Sequence, residues 1–146
     1  MHTLDQVLRS RGLVTASADE MVLAVARRMA DTRVGAAVVL DEDVLIGIFS
    51  ERDLMTRVVV AGRDAAQTPV SAVMTRDVVT AEITDRTAEC ERKMHRTGCR
   101  HLPVLAQGRV IGMLSMRDLL RDELEEQGAE LRELRAYLHQ QSPLDA

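Results

Sequence analysis

Gly47-Ile48-Phe49-Ser50-Glu51-Arg52-Asp53-Leu54 and, 65 residues later, Gly112-Met113-Leu114-Ser115-Met116-Arg117-Asp118-Leu119 are two versions of one phrase. In each, an apolar run containing glycine passes through serine into Arg-Asp-Leu, the pattern of a strand that turns into a helix. Sliding the chain against itself at that offset aligns Val14 with Val79 and continues without a gap to Leu54 against Leu119, with 14 identities in 41 positions. Chance gives only a few, so one unit has been duplicated.

Working outward, each copy reads strand, helix, strand, strand, helix. Leu13 to Ala16 forms a short strand, and Ser17 with Glu20 makes a capping box before Met21, Val22, Val25 and Met29 at helical spacing. The second copy offers Val78 to Ala81, a cap at Thr84 or Asp85, then Ala88 and Met94. The runs Ala36 to Leu40 and Val44 to Phe49 flank a turn at Asp41-Glu42-Asp43; Leu102 to Leu105 and Val110 to Leu114 flank Gln107-Gly108. Residues 3 to 10 read as a leading helix capped by Thr3, with Leu4, Val7 and Leu8 on one face, and Gly62 and Pro69 mark a linker across 62 to 75. The expected fold is α/β: a first repeat over 5–62, a second over 70–122, and a helical extension over 123–141. At roughly 50–60 residues neither copy buries enough surface alone, so the two should pack face to face and enclose two related clefts.

Composition narrows the function. Apolar residues are 46% and charged residues 29% of 146, the balance of a globular protein. No stretch approaches the ~18 apolar residues of a membrane span or the apolar core of a signal peptide, and two cysteines are too few for a disulfide framework, so a cytoplasmic protein is expected. Net charge is −4 with basic residues scattered among acids, and Phe49 and Tyr137 are the only aromatic side chains. That leaves neither an electrostatic footprint nor a stacking platform for nucleic acid.

The duplicated Gly-apolar-apolar-Ser-x-x-Asp signature resembles the cystathionine-β-synthase (CBS) domain, and two in tandem resemble a Bateman module; the resemblance covers residues 5 to 122. It implies a non-catalytic regulatory module that binds AMP, ADP, ATP or NAD(H) between its repeats as a regulatory ligand, assembles as a homodimer and signals to an effector protein. The implied contacts are Ser50, Arg52, Asp53, Ser115, Arg117 and Asp118, with Gly35 and Ala37 beside them. The chemistry suits those positions: a carboxylate at a helix start can accept from both ribose hydroxyls, and a serine hydroxyl can donate to phosphate near helix amides. The same aspartates could instead serve as helix caps. Opposite Gly35-Ala36 the second copy carries Arg100-His101; the resemblance implies that a basic pair here faces the cleft, making the two clefts unequal and supplying charge for a di- or triphosphate or a pyrophosphate, the alternative being solvent-facing residues on an edge strand. Alternative readings are an S-adenosylmethionine site and a ligand-free adaptor acting through its last helix.

Cys90, His95, Cys99 and His101 match no structural zinc spacing, and Cys90 aligns with the core position Val25, so no metal site is assigned. A Cys-His nucleophile lacks an orienting group. From about Asp118 to about Gln140 a final helix carries Leu120, Leu124, Gln127, Leu131, Leu134 and Leu138 at spacings of four and three. That heptad seam, interrupted by Gln127 and Gly128, fits either a helix folded back on its own domain or a partner-binding or self-associating surface.

Overall fold

In a computed structural model, residues 3–8 and 12–141 are described. The order is α1 (Leu4–Leu8), β1 (Thr15–Ser17), α2 (Val22–Thr32), β2 (Ala36–Asp41), β3 (Val44–Ser50), α3 (Glu51–Asp53), β4 (Ala81–Glu82), α4 (Thr87–Thr97), β5 (His101–Ala106), β6 (Arg109–Ser115) and α5 (Met116–Gln141). α3 continues as a π-helical stretch, Leu54–Val59. Two three-stranded sheets result, β1-β2-β3 and β4-β5-β6, each with one parallel and one antiparallel pair. The duplication extends to irregularities: a register shift between Val39 and Leu40 recurs between Val104 and Leu105. Both hairpins turn on two left-handed residues, Glu42-Asp43 and Gln107-Gly108, the geometry that suits the twist of the flanking strands.

The period-two alternation of β2 divides its side chains between two layers. Ala37 and Val39 enter the first core with Val25, Met29 and Phe49. Ala36 and Val38 face the opposite way, into an apolar seam with Met113 of β6, and this seam joins the two repeats. The second core gathers Cys90, Met94, Leu102, Val104, Leu114 and Leu119.

The leading segments are exchanged. Leu4 of α1 is fully buried in the second core, whereas Val70, Val73 and Met74, which precede the second repeat, complete the first. The stretch expected as a linker is therefore structural. Thr3 caps α1 as expected, its Oγ1 accepting from the Gln6 amide at 3.4 Å while the Thr3 amide donates to Gln6 Oε1 at 3.0 Å; positions 9 and 10 of the expected helix lie outside the described residues.

Two helix starts differ from expectation. The Ser17 amide donates to Glu20 Oε2 at 3.0 Å, yet Met21 remains extended and α2 begins at Val22. The Ser-Glu pair closes a turn instead, with Glu20 held by Arg28 at 2.8 Å. The first amides of α2 are satisfied from far away: Val22 donates to the Thr68 carbonyl at 2.8 Å and Leu23 to that of Ala65 at 3.0 Å. In the second repeat the strand covers only Ala81–Glu82 and α4 starts after Arg86, because the Asp85 carboxylate takes the Glu82 amide and the Lys93 ammonium. Among the described residues no helix is long and apolar enough to cross a membrane.

Candidate functional site

At the end of β6 the chain turns directly into α5, and Ser115 and Asp118 secure the turn. The Asp118 amide donates to Ser115 Oγ and the Ser115 amide to Asp118 Oδ2, both at 3.1 Å, the reciprocal arrangement of a capping box. The Met116 amide donates to the Arg100 carbonyl at 2.9 Å, which fixes the start of β5 beside the start of α5. His101 and Asp118 are thereby brought to one place, on the side of the second sheet that faces the first repeat.

These groups open onto a cleft of roughly 760 Å3 between the repeats, shared by Arg33, Gly35 and Glu51 from the first and by Arg100, His101, Ser115, Arg117, Asp118 and Arg121 from the second. Its volume lies within the ~300–1,000 Å3 of small-molecule sites. Four arginines against two carboxylates give it a positive excess suited to an anionic ligand. Burial pushes the His101 imidazole below its ordinary value of 6.5, opposed by the Glu51 and Asp118 carboxylates and assisted by Arg100. The ring is therefore mostly neutral at neutral pH, and a phosphate beside it would favour the protonated form.

Of the residues anticipated from the sequence, Gly35, Arg100, His101, Ser115, Arg117 and Asp118 meet in this cleft. Ser50, Arg52 and Asp53 occupy the equivalent positions of the first repeat and do not line it. There the Asp53 carboxylate accepts from the Ser50 amide at 3.0 Å and from Thr75 Oγ1 at 3.2 Å, with Arg57 Nε at 3.6 Å. Arg57 also donates to the Met74 carbonyl at 3.0 Å, tying Asp53 to the exchanged segment. Both aspartates thus act as caps, whatever else they bind. Ala37 does not line this cleft: its side chain is fully buried in the first core, and alternation along β2 turns its neighbour Ala36 to the cleft.

Glu51, Arg33 and Arg121 were not anticipated. Arg33 had a readable signal. It ends α2 at φ 60°, where the second repeat has Gly98 at φ 74°, so an arginine occupies a left-handed position that glycine fills without steric cost. Glu51 stands where the second repeat has Met116, and only the juxtaposition of the repeats shows that it reaches His101: a Cβ on Gly35 would lie 3.0 Å from Glu51 Oε1 and 3.1 Å from His101 Nε2. Cys90 is buried in the second core beside Met94, and burial pushes its thiol up to about 11.

The family model of the CBS domain matches the chain twice, over residues 5–60 and 70–125. The CBS domain-containing protein CBSX3, mitochondrial, of Arabidopsis thaliana is 29% identical over 93% of this chain and 71% of its own length. The chain spans 59% or less of the length of several other relatives that it matches. A CBS-domain structure from Burkholderia ambifaria superposes with a TM-score of 0.80 at 34% identity, covering 86% of this chain and 96% of the other. A CBS domain protein from Pyrobaculum aerophilum, complexed with AMP, gives a TM-score of 0.72 at 28% identity over 80% of this chain and 89% of its own. With its Gly-to-Asp signature duplicated, its two sheets packed face to face and the family matched over both repeats, this chain belongs to the CBS domain family.

Proposed function

We propose that the protein is a non-catalytic regulatory module that binds an adenosine phosphate in the cleft between its repeats and passes the occupancy of that cleft to an effector protein. The observation that carries this reading is the convergence of Asp118, Ser115, Arg100 and His101 with Arg33 and Glu51 of the other repeat on one 760 Å3 space. Asp118 sits where a carboxylate can receive ribose hydroxyls, and the arginines where phosphates would be neutralised. The AMP complex of the Pyrobaculum aerophilum relative supports the ligand class.

Candidate ligands are AMP, ADP, ATP and NAD(H). The arginine excess argues against the cationic S-adenosylmethionine. A ligand touching both repeats stabilises the arrangement in which its two sets of contacts fit together, so the population shifts toward that arrangement.

Calorimetric titration of the purified chain with AMP, ADP, ATP, NADH and S-adenosylmethionine tests the reading. A saturable phosphate-bearing ligand is expected. Arg100→Ala should weaken it about 10- to 100-fold, the range of a lost charge-assisted hydrogen bond, and should weaken ADP more than AMP. Unchanged affinity for both excludes Arg100 from the phosphate site. Saturation by S-adenosylmethionine alone would overturn the ligand class.

A further inference from the structure

α5 runs for 26 residues, past the 125th position where the family match ends. Its first half packs on the second repeat through Leu119, with Asp122, Glu126 and Ala129 half-buried at the following helical spacings. The heptad seam begins one residue further, about 100° round the helix. Leu120, Leu124, Leu131, Leu134 and Leu138 are 51, 68, 47, 53 and 57% exposed, and every residue from 130 to 140 is exposed. The helix does not fold back: it extends a leucine stripe about 27 Å long from Leu120 to Leu138.

We infer that this stripe is the seam of a parallel, in-register coiled coil with a second copy of the same chain. The spacing assigns Leu124, Leu131 and Leu138 to a positions and Leu120, Gln127 and Leu134 to d positions. The flanking positions then choose the orientation. Arg121, Gly128 and Arg135 fall at e, and Glu123, Glu130 and Tyr137 at g. In a parallel pair Glu130 of each chain meets Arg135 of the other, an attraction made twice by symmetry. In an antiparallel pair Arg121 would face Arg135 and Glu130 would face its own copy, so like charges meet. Gln127 meets its equivalent only in register, the device by which a polar seam residue fixes alignment. Seven acidic residues against four arginines between 117 and 135 make an anionic lipid surface an unsuitable occupant.

Leu120 and Leu124 at the start of the stripe also line the cleft, so the test is placed beyond it, at Leu131 and Leu134, and is made without ligand. In a Cys99→Ser background, Leu131→Cys places a single thiol at an exposed a position, where parallel in-register chains bring equivalent Cα atoms within disulfide range. Oxidation of this 146-residue chain with copper phenanthroline should give a covalent dimer on a non-reducing gel, and light scattering of the unmodified chain should give twice 16.2 kDa. Adding Leu134→Asp, also at an exposed position, should abolish the crosslink, with any loss of helical circular dichroism confined to the exposed turns beyond Ala129. A monomeric mass overturns the proposal, as does a dimer that Leu131→Cys fails to crosslink. Crosslinking by Gln127→Cys with Leu131→Cys, but not by Leu131→Cys alone, would show the antiparallel pairing and refute the orientation.

Discussion

Truncating Leu4 tests the exchange of leading segments most directly. Leu4 belongs to a five-residue helix that precedes the first sheet, yet its side chain is fully buried with Ala81, Leu102, Val104 and Leu114 in the second core. Leu4→Ala removes three carbons; at about 0.8 kcal/mol each the lost transfer term is about 2.4 kcal/mol. The cavity adds to this, but a helix of five residues can follow the hole inward, so the expected total is about 3 kcal/mol, near the low end of buried Leu→Ala changes. For a chain of this size that lowers Tm by about 6–12 °C. Calorimetry against Val60→Ala, whose side chain is 76% exposed and should cost no more than about 0.5 kcal/mol, gives the comparison. Hydrogen exchange should show the loss of protection concentrated in β5 and β6. If Leu4→Ala shifts Tm no further than Val60→Ala does, α1 is not docked in the second core and the exchange is wrong.

Three further outcomes are expected. Gly47→Ala would drive a Cβ into Met74 Sδ, 2.9 Å from Met74 Cγ and 3.1 Å from the Thr75 carbonyl; overpacking of this kind costs about 1–3 kcal/mol, and a urea midpoint equal to wild type would show that the Met74 segment yields freely. In the native protein a thiol reagent should modify one cysteine per chain rapidly, because Cys90 is buried with its thiol raised to about 11 while Cys99 is partly accessible; Cys99→Ser should leave no rapid reaction, and persistent modification would place Cys90 at the surface. Because the folded protein holds His101 below 6.5, the unfolded chain binds the proton more tightly, so this residue's contribution to stability is complete above 6.5 and is lost as pH falls through the folded value. Urea midpoints of wild type and His101→Gln compared between pH 7.5 and 5.0 should show the variant losing less stability on acidification; parallel pH profiles would refute the assignment.

The regular parts of the fold were legible because duplication made each reading a repeated measurement: two strand-turn-strand units, each followed by the same serine and aspartate. Helix starts were not, because their partners are remote. Ser17 and Glu20 have the spacing of a capping box, but the amides of α2 find carbonyls at Thr68 and Ala65, more than forty residues away. The cleft was half legible. Arg100 and His101 stand out in the sequence as a break in the internal repeat, whereas Glu51 becomes a cleft residue only where the first repeat lies against the second, and strand alternation turns Ala37 into the first core and Ala36 to the cleft.

By itself the sequence determined what local chemistry and period can fix: the duplication, the alternation of strands and helices, the Ser-Asp pairs at the ends of β3 and β6, and the heptad stripe of α5. Only the tertiary structure decided which leading segment completes which core, which groups share the cleft, and that the stripe lies exposed. Those outcomes depend on contacts between residues far apart in the chain, and a periodic pattern marks the face that must be covered without saying what covers it.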